Sequence, residues 1–402
     1  MQDKALQEDS GKKGRKIDII WNTTRVCPWD CDICCVDAVE VTKQQEFIQI
    51  KSRALKDIEN LERPETKRSI FDEAAAQLQA HGLELDLEGK MRVLDNIAGF
   101  DVKLDISGGD PLVVSDNFIL LQEASRRLGR KQITLTTTGA GLLAGRHDVQ
   151  TIANLIGEMN FTYDSVIVKG NKTRPDGYAR GNLRIAEQFV RAGVLTRAEC
   201  PLTIENVDVE KLSRLYLNLH HAGIHKLLLM RLFAVGRGIF DPAMVPSPDQ
   251  YRKAINVLRE MEAQYRVPVL RLQCALKHFE GLTDGENPCD LVRESFGLMA
   301  DGTLLASPWA VGGEGGPLDE TFILGNLART PLREILKSTR VREYESRQDE
   351  NFGHCKIQAF LASTKKNSFD RIFDRSDPLY VNKEPRRDQT IDSIEEEIMS
   401  AA

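Results

Sequence analysis

The sequence predicts an α/β protein, built as a partial (β/α)6 TIM-like barrel with a smaller α+β C-terminal extension. The first observation is an alternation of six short apolar segments with amphipathic helical segments, which is typical of parallel strands joined by helical crossovers. The second is that this alternation ends near residue 245, where a hairpin pattern follows. With 402 residues, of which 41% are hydrophobic, the chain is long enough to bury a large core.

The predicted barrel occupies residues 16–245, after a polar arm at residues 1–15 that we expect to be flexible. The first strand is predicted over residues 16–21 (KIDIIW). Helix-favouring composition and spacing predict helical cover over residues 43–62, 66–82 and 85–97. Further strands are predicted at residues 102–106, 133–137, 165–168, 195–202 and 226–233. The helices between them are predicted near residues 115–129, 147–158, 180–193 and 208–222.

The C-terminal extension, residues 246–363, begins with a predicted helix near residues 248–264. The segment FGLMADGTLLASPW then predicts a hairpin that turns at Asp301 and Gly302. Residues 364–402 carry mixed charge and several prolines, so we expect a loosely packed, charged tail.

The composition limits the classes of partner. A formal net charge of -6 argues against a nucleic-acid or anionic-membrane partner, because both require a basic surface. The N-terminal residues are polar, and the longest apolar run, residues 227–235, is interrupted by Arg231. Neither a secretory signal nor a membrane span is therefore predicted, and we expect a cytoplasmic protein.

Three of the eight cysteines, Cys27, Cys31 and Cys34, lie within eight residues after the first strand. In a reducing compartment such crowding indicates metal or redox chemistry. Thiolates are the ligands of iron–sulfur clusters, and three of them leave one iron open for a small molecule. A zinc knuckle and buried free thiols are the alternatives; zinc would require a fourth ligand, and the nearest histidine is His81. Cys35 is interpreted as a packing thiol, because the side chains of adjacent residues diverge.

A second motif, Gly108-Gly109-Asp110-Pro111, follows the second predicted strand. Two glycines let the backbone approach a ligand closely. Asp110 and Pro111 also suit the cap and the first position of a helix, and the two interpretations are compatible.

The cysteine triad resembles the defining motif of the radical S-adenosylmethionine (SAM) enzymes. The second motif resembles the Gly-Gly-Glu-Pro motif of that superfamily, with Asp110 in place of Glu. The chain departs from the usual pattern at Ile33, where an aromatic residue is expected. The resemblance extends over residues 16–240. It implies a 4Fe-4S cluster held by Cys27, Cys31 and Cys34, with SAM bound by the open iron and by Gly108, Gly109, Asp110 and Pro111.

The resemblance also implies roles for residues near the later strand ends. Thr137 would lie beside SAM, Lys169 would face its ribose or carboxylate from the end of the fourth strand, and Met230 would line its adenine. The alternatives are an ordinary turn, a solvated lysine and a buried strand. Cys200, on the fifth strand, would either point into the barrel as a hydrogen-atom donor or serve only in packing.

The C-terminal extension resembles those of the SPASM and twitch subgroups, which hold auxiliary iron–sulfur clusters. Ser307 stands where their pattern expects a cysteine. The remaining cysteines allow one auxiliary cluster, held by Cys274, Cys289 and Cys355, and a cluster-free extension is the alternative.

The resemblance implies a reaction in which one electron from the reduced cluster cleaves SAM, and the resulting 5'-deoxyadenosyl radical abstracts a hydrogen atom from the substrate. A reductant such as flavodoxin or ferredoxin would be required. The extension favours a ribosomally synthesised peptide as substrate, with a small metabolite such as an aminosugar, dehydrogenated or epimerised, as the alternative. A non-catalytic metal-binding or electron-transfer protein is the rival from another class.

Overall fold

Parallel strands covered by helices form the body of the protein. The structure is a computed structural model, and it describes residues 16–44, 47–52, 57–62, 68–167, 169–240, 242–281, 287–313 and 315–380. The strands are β1 (Lys16–Thr24), β2 (Val26–Cys27), β3 (Val39–Lys43), β4 (Phe47–Ser52), β5 (Asp57–Glu62), β6 (Asp101–Gly108), β7 (Ile133–Thr136), β8 (Glu158–Thr162), β9 (Leu195–Leu202), β10 (Lys226–Arg231), β11 (Val269–Leu272), β12 (Ser295–Leu298), β13 (Thr303–Leu305) and β14 (Ile323–Asn326). The α-helices are α1 (Ile70–Ala80), α2 (Leu87–Asn96), α3 (Ser115–Leu128), α4 (Ala140–Leu143), α5 (Val149–Ala153), α6 (Tyr178–Arg191), α7 (Val209–His221), α8 (Pro248–Tyr265), α9 (Leu332–Ile335), α10 (Thr339–Ser346), α11 (Lys356–Ala362) and α12 (Ser368–Ile372).

The main sheet has the strand order β11-β10-β9-β8-β7-β6-β1-β12-β13-β14. Neighbouring strands from β11 to β12 are parallel, whereas β13 and β14 pair antiparallel. Helices connect the successive parallel strands from β6 to β11. The predicted fold class is confirmed: β1 and β6 to β10 form a partial (β/α)6 TIM-like barrel, and a C-terminal extension continues its sheet.

Side chains alternate along each barrel strand between a face covered by helices and an interior face. On β9, Cys200 and Leu202 are fully buried in the apolar core, whereas Arg197 and Glu199 line an interior cavity. The barrel interior is therefore polar. Strands with polar residues on this face do not appear as apolar runs in the sequence, and a prediction based on such runs misses them.

The fourth strand shows this effect. It is β8, with the sequence EMNFT, and the prediction of a strand at residues 165–168 is wrong. The helix predicted over residues 147–158 is also wrong in extent, since only α5 forms there. Residue 168 lies outside the described residues.

The helix predicted over residues 43–62 is wrong as well, because this segment forms strands of a second sheet with the order β2-β3-β4-β5. Ile48 and Ile50 alternate with polar residues, and both are buried against Ala74 and Ala75 of α1. Alternating β-branched residues with a surface to pack on thus outweigh the helix propensity of the neighbouring Gln and Lys residues.

The hairpin predicted at Asp301 and Gly302 is confirmed, since β12 and β13 pair and Gly302 has a φ of 85°. Because β12 also pairs in parallel with β1, the extension and the barrel share one sheet. The division after residue 245 remains a prediction. No helix in the described ranges is both long enough and apolar enough to cross a bilayer.

The tail predicted from residue 364 is not loosely packed as far as it is described, since Ile372 and Phe373 are buried. Asp377 is also buried, and its carboxylate lies 2.7 Å from the guanidinium of Arg231 at the end of β10. The same carboxylate accepts a hydrogen bond from the backbone N–H of Cys355. The ion pair thus fastens the C-terminal segment to the barrel. Residues 1–15 and 381–402 lie outside the described residues.

Asp377→Asn should destabilise the protein by about 3–5 kcal/mol, because it leaves the buried Arg231 cation without its counter-charge. Urea unfolding measures this free energy. Glu334→Gln, on the exposed part of α9, is the control and should change stability by no more than about 0.5 kcal/mol. Equal effects of the two substitutions would contradict the role given to the ion pair.

Candidate functional site

A cavity of about 470 Å³ extends from the carboxyl ends of the barrel strands into the barrel interior. Every cysteine of the chain except Cys200 lines it. Four of these cysteines, Cys27, Cys31, Cys34 and Cys35, lie in the segment that begins at the end of β2, which we call the cysteine loop (residues 27–38). Catalytic groups of parallel barrels gather at this end of the strands, so the cavity is the candidate functional site.

A buried arginine from the other side of the barrel mouth fixes the cysteine loop. The Arg237 guanidinium donates hydrogen bonds to loop acceptors on Asp30, Cys31, Asp37 and Ala38. The backbone N–H of Arg237 donates to the carbonyl of Cys34 at 2.8 Å. Sequence reasoning missed this residue, because nothing local links it to a loop some 206 positions away.

The glycine motif sets where the cysteine loop begins. A Cβ on Gly108 would lie 2.3 Å from the carbonyl oxygen of Thr24, and one on Gly109 would lie 2.1 Å from that of Val26. The N–H groups of Gly109 and Asp110 donate to these same two carbonyls at 2.8 and 2.9 Å. Only glycine permits this approach, and both glycines also line the cavity.

Asp110 lies behind the cavity wall. Its buried carboxylate accepts hydrogen bonds from the hydroxyls of Thr137 and Thr138 and from the N–H groups of Leu112 and Ala140. Burial raises the pKa of this carboxyl group. The helix-cap interpretation is confirmed, with Pro111 at the first position of a short 3-10 helix. Neither Asp110 nor Pro111 lines the cavity, whereas Thr137 and Met230 do.

Two predicted site residues are in other places than expected. Lys169 does not end the fourth strand; it is exposed in the loop after β8 and does not line the cavity. Cys200 does not point into the barrel, because it lies on the helix-covered face of β9. The packing interpretation of Cys200 therefore fits the structure, and the hydrogen-donor interpretation does not.

Arg174, unlike Lys169, brings a cation to the cavity. It comes from the same loop, lines the cavity, and lies 2.8 Å from the carboxylate of Asp164. Burial raises the pKa of the Cys31 thiol to about 11, and a hydrogen bond from Arg174 to this sulfur partly offsets the increase. Nothing in the local sequence distinguishes Arg174 from the other cations of this loop.

The loop thiols form a donor set suited to a cationic cluster. Burial raises the pKa of Cys27, and the charges of Cys31 and Cys34 raise it further. Buried thiolates of this kind are stabilised when a metal centre neutralises them. The backbone N–H of Ala38 donates to the Cys34 sulfur at 3.3 Å. Within the described ranges, no three His, Cys, Asp or Glu side chains are grouped so that they could hold a single metal ion.

The structure also brings together Cys274, Cys289 and Cys355, which lie far apart in the sequence. Burial raises the pKa of Cys274, and nearby Asp290, Cys289 and Cys355 raise it further. Ser307, the residue at the missing cysteine position, lines the same cavity. The two cysteine sets therefore face one shared space.

Gly109→Ala should displace the start of the cysteine loop, because the added Cβ would collide with the backbone of Val26. We expect a destabilisation of about 1–3 kcal/mol and less iron bound after anaerobic reconstitution. Urea unfolding and iron analysis measure the two effects. Gly316→Ala, where a Cβ meets nothing within 4 Å, is the matched control and should change neither quantity. Normal iron content in Gly109→Ala would contradict this interpretation.

No known protein-family profile matches the sequence, and no curated protein matches it. Solved structures, however, are similar in fold. SuiB of Streptococcus suis bound to S-adenosylmethionine matches with a TM-score of 0.57 at 12% identity, over 89% of this chain and 76% of that chain. SuiB bound to its precursor peptide SuiA matches with a TM-score of 0.55 at 12% identity, over 82% of this chain and 66% of that chain.

Native anSMEcpe with bound AdoMet matches with a TM-score of 0.55 at 14% identity, over 95% of this chain and the whole (100%) of that chain. At these identities the likeness establishes the fold alone. That fold is the one the sequence predicts, a partial (β/α)6 TIM-like barrel with a C-terminal extension.

Proposed function

We propose that this chain is a radical SAM enzyme in which Cys27, Cys31 and Cys34 hold a 4Fe-4S cluster. The observation that carries the proposal is the placement of these three thiols beside the Gly108–Gly109 turn, on one cavity at the carboxyl ends of the barrel strands. When bound and reduced, the cluster would supply the electron that cleaves SAM and so makes a hydrogen-abstracting radical. The rival of a non-catalytic metal protein gives no reason for a cavity of this size at the cluster loop.

The residues of the chain have distinct parts in this proposal. Gly108, Gly109 and Thr137 would contact the amino acid portion of SAM, and Met230 would pack on its adenine, since all four line the cavity. Asp110 and Pro111 would hold the glycine turn from behind. Arg174 would hold Cys31 in place and balance its charge. The enclosing walls would exclude water from the reactive species.

The substrate we propose is a peptide. SuiB has been crystallised with its precursor peptide, and anSMEcpe with AdoMet and a peptide, and both share the fold of this chain. An external one-electron reductant of the flavodoxin or ferredoxin type would serve the cluster, in the cytoplasm.

We also propose that Cys274, Cys289 and Cys355 hold one auxiliary iron–sulfur cluster. The support is that all three line one cavity, where Cys289 and Cys355 raise the pKa of Cys274 and Cys289 raises that of Cys355. Three thiols gathered from distant segments onto one cavity suit a cluster better than they suit apolar packing.

Cys31→Ala should abolish the formation of 5'-deoxyadenosine from SAM and dithionite, because the SAM cluster would lose a ligand. The measurement is product quantification by liquid chromatography after anaerobic reconstitution. Cys35→Ala is the matched control, since Cys35 lines the same cavity next to Cys34 but is not a proposed ligand. Product from Cys31→Ala, or equal loss in both variants, would contradict the ligand assignment.

The auxiliary cluster predicts a particular iron count. Wild-type protein should bind about eight irons per chain, and the triple variant Cys27→Ala, Cys31→Ala, Cys34→Ala should retain about four. Adding Cys289→Ala to the triple variant should remove the rest. An iron-free triple variant would disprove the auxiliary cluster, but it would not contradict the proposal that Cys27, Cys31 and Cys34 hold the SAM cluster.

A further inference from the structure

The floor of the barrel, below the cysteine loop, holds an unusual group of charged side chains. Glu158 on β8 accepts three cations: Lys103 and Lys226 at 3.2 Å each, and Arg197 at 3.8 Å. Arg197 also pairs with Glu199 at 3.1 Å. The three cations are therefore all engaged by Glu158 and Glu199.

Asp105 on β6 faces the same cavity without an ion pair among the described residues. Its carboxylate accepts hydrogen bonds from two neutral donors, the hydroxyl of Thr136 at 2.8 Å and the amide of Asn160 at 3.1 Å. Burial, and then the nearby charge of Glu199, raise the pKa of Asp105 to about 6, although the charges of Arg197 and Lys103 partly offset the increase. A buried carboxylate of this kind is stabilised by a cation.

An independent observation comes from the neighbouring strand. Thr134 is the register partner of Asp105 on β7, lines the cavity and is only 1% exposed, yet its hydroxyl has no hydrogen-bond partner. One carboxylate oxygen of Asp18, on β1 and also lining the cavity, is buried without a partner. Buried polar atoms are normally hydrogen-bonded, so the unpartnered oxygens of Thr134 and Asp18 indicate that a polar ligand binds here.

The position of this group suits a substrate side chain. Asp105 precedes Gly108 by three residues, which at about 3.3 Å per residue places it about 10 Å below the glycine turn. A primary ammonium carries three donors and no acceptor, which matches two carboxylates and a hydroxyl.

We propose that Asp105, together with Glu199 and the Thr134 hydroxyl, forms a subsite for a primary ammonium group at the end of an aminoalkyl side chain of the substrate. This inference rests on the proposed function, because it names the chemical class of the substrate side chain on which the proposed SAM enzyme would act. The floor carries four carboxylates, those of Asp18, Asp105, Glu158 and Glu199, against three cations, so one further cation would balance its charge and its N–H would satisfy the free hydroxyl.

The test compares two probes that differ only in the charged group: Nα-acetyl-lysine N-methylamide and Nα-acetyl-norleucine N-methylamide. Their binding to reconstituted, SAM-loaded protein is measured by equilibrium dialysis. We expect wild type to prefer the lysine probe by about tenfold or more, as for a hydrogen-bonded charge. Asp105→Asn should abolish the preference, and Thr134→Val should reduce it several-fold. Glu88→Gln, an exposed charge change on α2, should keep it.

Equal binding of the two probes, binding of neither, or an unchanged preference in Asp105→Asn would overturn the inference. Thr134→Val keeps the test decisive if Asp105→Asn does not fold. SAM cleavage is measured on the same samples. Wild type that cleaves SAM but does not prefer the lysine probe would disprove the subsite alone, whereas absence of 5'-deoxyadenosine would disprove the proposed function.

Discussion

The close approach of β6 to the start of the cysteine loop is the constraint on which the rest of the site depends. Two glycines remove the side chains that would collide with the carbonyls of Thr24 and Val26, and two backbone hydrogen bonds hold the contact. Because the same glycines line the cavity, the two residues that must be glycine for the strands to pack are also the two that we propose to contact SAM. A side chain at either glycine would disturb the fold and the site together, so the stability of this region cannot be separated from its chemistry.

Buried charged side chains then hold the cysteine loop in the position that the glycines set. The Arg237 guanidinium satisfies acceptors along the cysteine loop, and Glu84 accepts hydrogen bonds from the N–H of Arg25 and the hydroxyl of Thr24 just before it. Each such group costs desolvation energy, which its hydrogen bonds offset. A loop held this way has little freedom to rearrange. The three thiols that we propose as ligands would therefore be positioned before a metal binds, and this would reduce the ordering cost of assembling a cluster.

The fold class and the candidate site could be predicted from the sequence because both depend on local patterns. The cysteine spacing and the glycine turn each lie within a few residues, and the βαβ alternation is a succession of short segments, most of which are recognisable from their own composition. The wrong and missed predictions have one physical cause in common, because each depends on tertiary structure that the local sequence does not show. β8 was missed because Glu158 and Asn160 face a polar interior, which local hydrophobicity does not anticipate. Cys200 was assigned to the wrong face because strand register decides which side of β9 a residue occupies. Arg237 reaches its partners only through tertiary folding.

One cavity connects the two cysteine sets and the acidic floor, and this connection limits the chemistry that the proposals allow. A substrate anchored by its ammonium at Asp105 would have its charged end fixed at the bottom of the barrel. SAM at the glycine turn would lie about 10 Å above, given the rise of the strand. The carbon that loses its hydrogen would then be selected by the number of bonds between it and the anchored nitrogen, rather than by the intrinsic strength of its C–H bond. An anchor at the floor of a rigid barrel thus converts the length of a flexible side chain into positional selectivity, because the entropy of fixing that chain is offset by the buried charge interaction.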